Sequence, residues 1–246
     1  MVFIAALLGL LIGSFLNVCI WRLPRSQSII LPGSYCPGCG HALKMLDLIP
    51  LLSFALNRCR CRYCFQAITW RYPVIELLTA TVLAVFYTIW GWSWVLLHNS
   101  LLFCGLLAAA VIDIELRVIP NRLLVFMTAA VVMLHGLTTP QLLLPALGGG
   151  ISAGMLLLLP ALLYPGGMGG GDIKLAAVIG LYLGWPLSLL ALLLGIASAA
   201  VAGLGWMLFT KQGLKTAIPL GPFLGAGAMV ALLWGHELLT WYLGLY

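Results

Sequence analysis

Eight long apolar runs constrain this chain more than any other feature. They lie at about residues 1–21, 73–91, 95–114, 121–138, 142–164, 173–185, 186–209 and 218–245. A helix needs about 20 mostly apolar residues to cross the hydrocarbon core of a bilayer, and only helices or closed barrels satisfy their backbone there. The runs are rich in Leu, Ala and Gly and do not alternate with polar residues, so they predict helices and not barrel strands. Of the 246 residues, 63% are hydrophobic and 7% charged, with a mean hydropathy of +1.13. A soluble domain carries about a quarter charged residues, which excludes that class. Disordered, collagen-like and disulfide-scaffold classes fail on the same composition. The expectation is an all-α polytopic membrane protein of about eight transmembrane helices. The sixth run is short, and the breaker Gly184-Trp185-Pro186 divides it from the seventh.

The first run has no positive n-region, and its basic residues Arg22 and Arg25 follow the apolar stretch, which is the charge order of an anchor and not of a cleaved signal. Orientation follows from where Lys and Arg fall. Arg22, Arg25, Lys44, Arg58, Arg60, Arg62 and Arg71 lie between spans one and two; Arg117 and Arg122 lie between three and four. Lys174 follows span five, and Lys211 and Lys215 follow span seven. These four segments hold all 12 basic residues. Eight crossings would put all four in the cytoplasm and both termini outside, in the periplasm. Three domains are expected on this reading: 1–21 as the first transmembrane helix, 22–72 as a small cytoplasmic module, and 73–246 as a membrane-embedded domain. No repeat of fixed period is visible.

Within residues 22–72, Cys36-Pro-Gly-Cys39 and Cys61-Arg-Tyr-Cys64 form two C-x2-C knuckles separated by 21 residues. Each knuckle presents two sulfurs on one tight turn, and the pair matches a tetrahedral four-thiolate zinc site. A segment of this size builds little core of its own, so a structural metal is the expected staple. Lys44, Arg58, Arg60 and Arg62 would offset the charge of four thiolates. A cytoplasmic location disfavours stable disulfides, and no βαβ pattern supports a thioredoxin-like redox pair. Cys59 and His41 stand close enough in sequence to compete as ligands. Cys19 and Cys104 fall in spans, where a small apolar filler is expected.

The chain has six carboxylates: Asp47, Glu76, Asp113, Glu115, Asp172 and Glu237. An acid at a membrane-embedded position requires a partner or a function. Asp113 ends span three and Asp172 follows Gly169-Gly-Gly after span five, so both belong to the cytoplasmic face. Glycines before Asp172 allow the backbone to approach closely and aim the carboxylate into a narrow site. Two acids together in a low dielectric hold one proton between them, a state suited to peptide hydrolysis by activated water. Glu115 lies two residues from Asp113, roughly on the other face of the helix, and is excluded from the pair. On residue chemistry alone three readings stand. They are aspartyl catalysis, proton-coupled transport through paired acids, and plain structure, with Asp172 capping a helix from Ile173 and Asp113 paired to Arg117.

These segments together resemble the prepilin peptidase family, the type IV prepilin leader peptidases. The resemblance runs from Gly13-Ser-Phe-Leu-Asn17-Val-Cys-Ile-Trp-Arg-Leu-Pro24 through the paired knuckles, Asp47-Leu-Ile-Pro-Leu-Leu-Ser53 and Arg71-Tyr-Pro-Val-Ile-Glu76. It continues through the Asp113 segment ending Ile-Pro-Asn121 to Gly169-Gly-Gly-Asp172-Ile-Lys174. The resemblance implies a bifunctional enzyme of the bacterial inner membrane that cuts the basic leader from prepilins or pseudopilins of pilus and secretion systems. It also implies methylation of the new amino terminus with S-adenosylmethionine. Carried over by position, Asp113 and Asp172 form the catalytic pair, and Cys36, Cys39, Cys61 and Cys64 bind zinc. Lys174 and Asn121 are supporting residues, Arg117 is a further electrostatic candidate, and Glu76 is the candidate for methyl transfer. The expected partners are substrates with a basic leader and hydrophobic stem, and the lipid bilayer, with no nucleic acid. Two departures stand out: Phe65 replaces the glycine common after the second knuckle, and Cys59 is extra. A proton-coupled transporter is the rival reading, although related halves are not visible; a zinc-module membrane adaptor would need only the cysteines.

Overall fold

A computed structural model of the chain describes residues 1–164, 168–210 and 219–244. Nine α-helices occur among these: α1 (Val2–Arg22), α2 (Leu52–Leu56), α3 (Arg71–Trp90), α4 (Trp94–Leu116), α5 (Asn121–Thr138), α6 (Leu143–Leu163), α7 (Gly170–Leu183), α8 (Leu187–Thr210) and α9 (Gly221–Leu243). No strand is formed among the described residues, only two isolated bridges in the cysteine segment. The fold is therefore the all-α polytopic class, with the cysteine module between the first two long helices. Helices α1, α3, α4, α5, α6, α8 and α9 supply seven spans of sufficient length and hydropathy. The short sixth run becomes α7, whose 14 residues rise about 21 Å, less than the roughly 30 Å of a hydrocarbon core. Lys211 and Lys215 lie outside the described residues.

The chain divides into two compact units, Met1–Ser100 and Leu101–Tyr246. In the first unit, α1 and α3 pack antiparallel through backbone. A Cβ on Gly9 would lie 2.5 Å from the Ala80 Cα, and one on Gly13 would lie 2.7 Å from the Glu76 Cα. Lipid offers no hydrophobic drive for helix pairing, so small residues that admit close backbone contact take that role. Asn17 reinforces the seam, its Nδ2 donating to the carbonyls of Gly13 and Tyr72 at 3.2 Å each. At the end of α1 the buried Arg22 guanidinium donates to the carbonyls of Ser28, Pro32 and Gly33 at 2.8–3.0 Å. It thereby folds the following loop back over the helix terminus.

In the second unit, α6 and α7 run antiparallel with Gly149 and Gly150 against Gly180 and Leu181, and α8 and α9 with Gly195 against Leu224. Tyr182 of α7 donates its hydroxyl to the Met127 carbonyl of α5 at 3.1 Å. The turn after α7 is tied to the start of α6 by the Trp185 N–H on the Pro145 carbonyl. Outward faces carry Val125, Leu144, Leu193 and Val201, all exposed, as lipid contact requires.

Substitution at the α1–α3 seam tests this packing. Gly9→Val is expected to destabilise the first unit by about 1–3 kcal/mol through overpacking against backbone. Gly136→Ala, where a Cβ meets nothing within 4 Å, leaves stability unchanged or slightly raised. Thermal unfolding of the purified variants in detergent reads both, and an unshifted Gly9→Val midpoint overturns the packing account.

Candidate functional site

The cysteine module is built from two copies of one local structure, 25 positions apart. In the first, the Cys36 N–H donates to the His41 carbonyl, Gly40 N–H to Cys36 O, and Leu43 N–H to Ser34 O. In the second, Cys61 N–H donates to Gln66 O, Phe65 N–H to Cys61 O, and Ile68 N–H to Cys59 O. The bridges Tyr35–Ala42 and Arg60–Ala67 close the two turns alike. Only the cysteines and alanines match in sequence (Cys36 with Cys61, Cys39 with Cys64, Ala42 with Ala67), which hid a repeat that sequence inspection reads as none.

The four knuckle sulfurs lie within 4.8 Å of one another, with Cys36 Sγ and Cys64 Sγ at 3.9 Å. A tetrahedral zinc with bonds of about 2.3 Å separates its sulfurs by roughly 3.8 Å. The donor set therefore fits a metal ion held by four thiolates. The Cys64 backbone N–H, hydrogen-bonded to Cys61, lowers the Cys61 thiol to about 7. Cys64, against a lowering Gln66 N–H, is raised to about 11 by burial and by the thiols of Cys61, Cys39 and Cys36. Without a metal the cluster therefore ionises first at Cys61. Neither rival ligand joins the cluster. Cys59 offers its carbonyl to Ile68, as Ser34 does to Leu43, and the His41 ring stacks on Tyr63 with centroids 3.7 Å apart. Asp47 ties the module together. It accepts the Lys44 N–H and the Tyr63 hydroxyl at 3.1 Å each, and Arg62 stands 3.9 Å away.

Glu76 belongs to the same unit. Buried on α3, it accepts the Leu51 N–H at 2.9 Å and a hydrogen bond from Ser14. It joins the α1–α3 pair to the start of α2.

In the second unit, Asp113 and Asp172 line one cavity of about 360 Å³, together with Arg117, Val118, Ile119, Asn121 and Lys174. Asp113 sits in the last turn of α4 and is 5% exposed, whereas Glu115 is exposed. Helix α7 begins at Gly170 and is capped by Gly169. Asp172 is thus in the first turn, three residues past the cap, and does not cap a helix from Ile173. Its carboxylate accepts the Gly169 N–H. Gly171 faces Ile119 so closely that a Cβ would lie 3.1 Å from the Ile119 Cβ, which explains a side-chain-free position beside the acid.

Asn121 opens α5 as its first residue, and Pro120 takes the cap position. The Asn121 Oδ1 is free to accept the Lys174 ammonium at 2.9 Å, and this links α5 to α7 at the cavity rim. Gly221 at the start of α9 has no counterpart among the sequence expectations. Its N–H donates to Asp113 Oδ2 at 2.8 Å across 108 residues of sequence. The only local signal is a glycine before Pro222 at a helix start, a common pattern.

The chain thus combines two carboxylates on one helix-end cavity with a four-cysteine cluster, in an all-helical protein with seven apolar helices long enough to span a membrane. Residues 7–90 match the Bacterial Peptidase A24 N-terminal domain, and residues 100–240 match the Type IV leader peptidase family. The chain belongs to the type IV leader peptidase family. Among relatives called prepilin leader peptidase/N-methyltransferase, the Bacillus subtilis protein is 32% identical over 99% of this chain and 98% of its own length. Those of Aeromonas hydrophila and Pseudomonas aeruginosa are 35% and 34% identical, each over 96% of this chain and 92% and 91% of their own. No solved structure matches the chain.

The departure at Phe65 gives a test. Gly40 and Phe65 occupy equivalent positions with φ of +71° and +57°. That conformation costs a residue with a Cβ about 1–2 kcal/mol, and the Phe65 side chain is 70% exposed and gains little from packing. Phe65→Gly is expected to raise module stability by about 1 kcal/mol, seen as slower metal loss to a competing chelator. Faster loss would overturn this.

Proposed function

We propose that this protein cleaves the leader from prepilins or pseudopilins at the cytoplasmic face of the bacterial inner membrane, with Asp113 and Asp172 as the cleaving pair. The observation that carries this reading is that two acids 59 positions apart line one cavity, in a chain with six carboxylates in all. Family membership points the same way, and nothing in the fold favours a transporter. The substrate's hydrophobic stem would lie in the bilayer, and its basic leader would remain in the cytoplasm.

The pair holds one proton. Water attacks the scissile carbonyl carbon as the ionised carboxylate removes its proton and the protonated acid gives a proton to the carbonyl oxygen. In the resulting gem-diol, the first aspartic acid then protonates the amide nitrogen while the C–N bond breaks. The second carboxylate recovers a proton from a diol hydroxyl, so the pair ends as it began. Lys174, held by Asn121, and Arg117 supply positive charge at the cavity.

Orientation on this reading rests on the alternation of basic segments and on α7 as an eighth crossing. Antiparallel packing of α7 on α6 and the short turn into α8 support that crossing. Both termini are then periplasmic. The domains read as an anchor (1–21), a cytoplasmic zinc module (22–72) and a membrane-embedded peptidase domain (73–246). Zinc is the metal that a closed four-thiolate site favours, and Cys36, Cys39, Cys61 and Cys64 would hold it as a structural ion.

The relatives' names carry a second activity, methyl transfer to the amino terminus released by cleavage. S-adenosylmethionine would supply the methyl group. Glu76, a buried carboxylate held by Leu51 and Ser14, is the candidate residue for this step.

Asp113→Asn and Asp172→Asn are each expected to reduce cleavage of a prepilin-type substrate by at least about 100-fold. Wild-type activity in either would sink the aspartyl mechanism. Mass measurement of the product made by the unaltered enzyme reads the second step, and an amino terminus that stays unmethylated with S-adenosylmethionine present removes it. For the metal, Cys36→Ser should lose bound zinc on elemental analysis while Cys59→Ser keeps it; equal zinc in both would count against the four-thiolate site.

A further inference from the structure

Asp113 lies where its own helix disfavours a negative charge. It occupies the last turn of α4, the negative pole of the helix dipole. What meets it is the positive pole of another helix. Gly221, the first residue of the 23-residue α9, is buried and donates its N–H to Asp113 Oδ2 at 2.8 Å. A Cβ on Gly221 would stand 2.9 Å from that oxygen and 3.2 Å from the Asp113 Cβ. Glycine at this position allows the N–H to reach the carboxylate.

The two acids differ in their surroundings. Asp172 accepts a hydrogen bond from Gly169, within the turn it belongs to. Among the described residues, the charged groups facing the cavity besides the pair are Arg117, just past the end of α4, and Lys174 from α7; α5 contributes Asn121 and α9 the Gly221 N–H. Lys174 is directed to the Asn121 Oδ1. Arg117 follows Asp113 by one helical turn, and its backbone N–H closes on the Asp113 carbonyl at 2.8 Å. Asp113 thus has an interhelical N–H and a cation just past the end of its own helix, while the ammonium nearest Asp172 in sequence is engaged elsewhere.

We propose that Gly221 is a positioning residue for leader cleavage, and that its N–H at the start of α9 keeps Asp113 as the ionised member of the pair. Asp113 then takes the proton from water through its other oxygen, and Asp172 carries the shared proton to the carbonyl oxygen. This rests on the reading of Asp113 and Asp172 as the cleaving pair.

The test is the pH profile of kcat/KM for a prepilin-type substrate, measured on the full-length enzyme in lipid vesicles. Gly221→Ala removes the approach of the N–H, so Asp113 needs a higher pH to ionise. Activity at neutral pH should fall by about 10- to 100-fold, and the acid limb should move to higher pH so that activity recovers as pH rises. KM should change little. Gly225→Ala, whose Cβ would make only an ordinary 3.7 Å contact with Leu106, keeps the wild-type profile. A Gly221→Ala enzyme that loses activity equally at every pH, or keeps the wild-type acid limb, overturns the proposal. Should Gly221→Ala fail to fold, an enzyme carrying an ester in place of the Gly221 amide (glycolic acid at position 221) decides, because it lacks the N–H without gaining a Cβ, and an acid limb that does not move up in it overturns the proposal as well. Asp113→Asn and Asp172→Asn run alongside. Wild-type cleavage by either sinks the underlying reading, whereas two inactive variants with an unmoved Gly221→Ala limb sink this proposal alone.

Discussion

Each carboxylate in this protein that is not exposed is held by a backbone N–H. Asp47 accepts from Lys44, Glu76 from Leu51, Asp113 from Gly221 and Asp172 from Gly169. The remaining two, Glu115 and Glu237, are exposed. A chain that is 63% hydrophobic can retain buried acids only where fixed dipoles replace water, because an uncompensated charge in an apolar interior is costly. Two of these contacts organise the cysteine module and its junction with α3; the other two set the cavity. One constraint therefore shapes both units, and the segments that supply the N–H groups are as necessary as the acids.

Glycine serves the same end in helix packing. Gly9 and Gly13 bring α1 against α3 at the level of Glu76 and Ala80, and Gly149 and Gly180 bring α6 against α7. These contacts are backbone on backbone, so they leave little freedom for one helix to slide along the other. Asp172 gains from this, since α7 is short and carries the acid in its first turn. Its placement depends on α6 along one side and on Ile119 against Gly171. The Lys174–Asn121 contact secures the other end of the same turn.

Much of this is legible in the sequence, and what is not has a common cause. Helix locations follow from apolar length, and the cysteine cluster follows from spacing, because both are local patterns. The pairing of Asp113 with Asp172 follows from span counting, which places both at one membrane face. Helix starts are less legible. Asp172 reads as a cap before Ile173, yet the helix begins at Gly170 with Gly169 as its cap, and Gly171 within it packs on Ile119. Asn121 stands one residue inside α5, because Pro120 has the extended backbone that a cap requires. Gly221 is illegible, because its partner lies 108 residues away and no periodicity links a glycine to a distant acid. The repetition within the cysteine module escapes for a related reason: hydrogen-bond pattern is shared where side chains are not.

That repetition bears on the order in which the protein is made. The two knuckles each supply half of a metal site, and neither half suffices. Along the chain, α1 and the first knuckle precede the second knuckle, so Cys36 and Cys39 are made before the sulfurs of Cys61 and Cys64 that complete their cluster. Closure of the site comes only when the chain has reached the threshold of α3, which starts at Arg71. The four-sulfur cluster is thus complete in the chain just before the helix that packs on α1 begins.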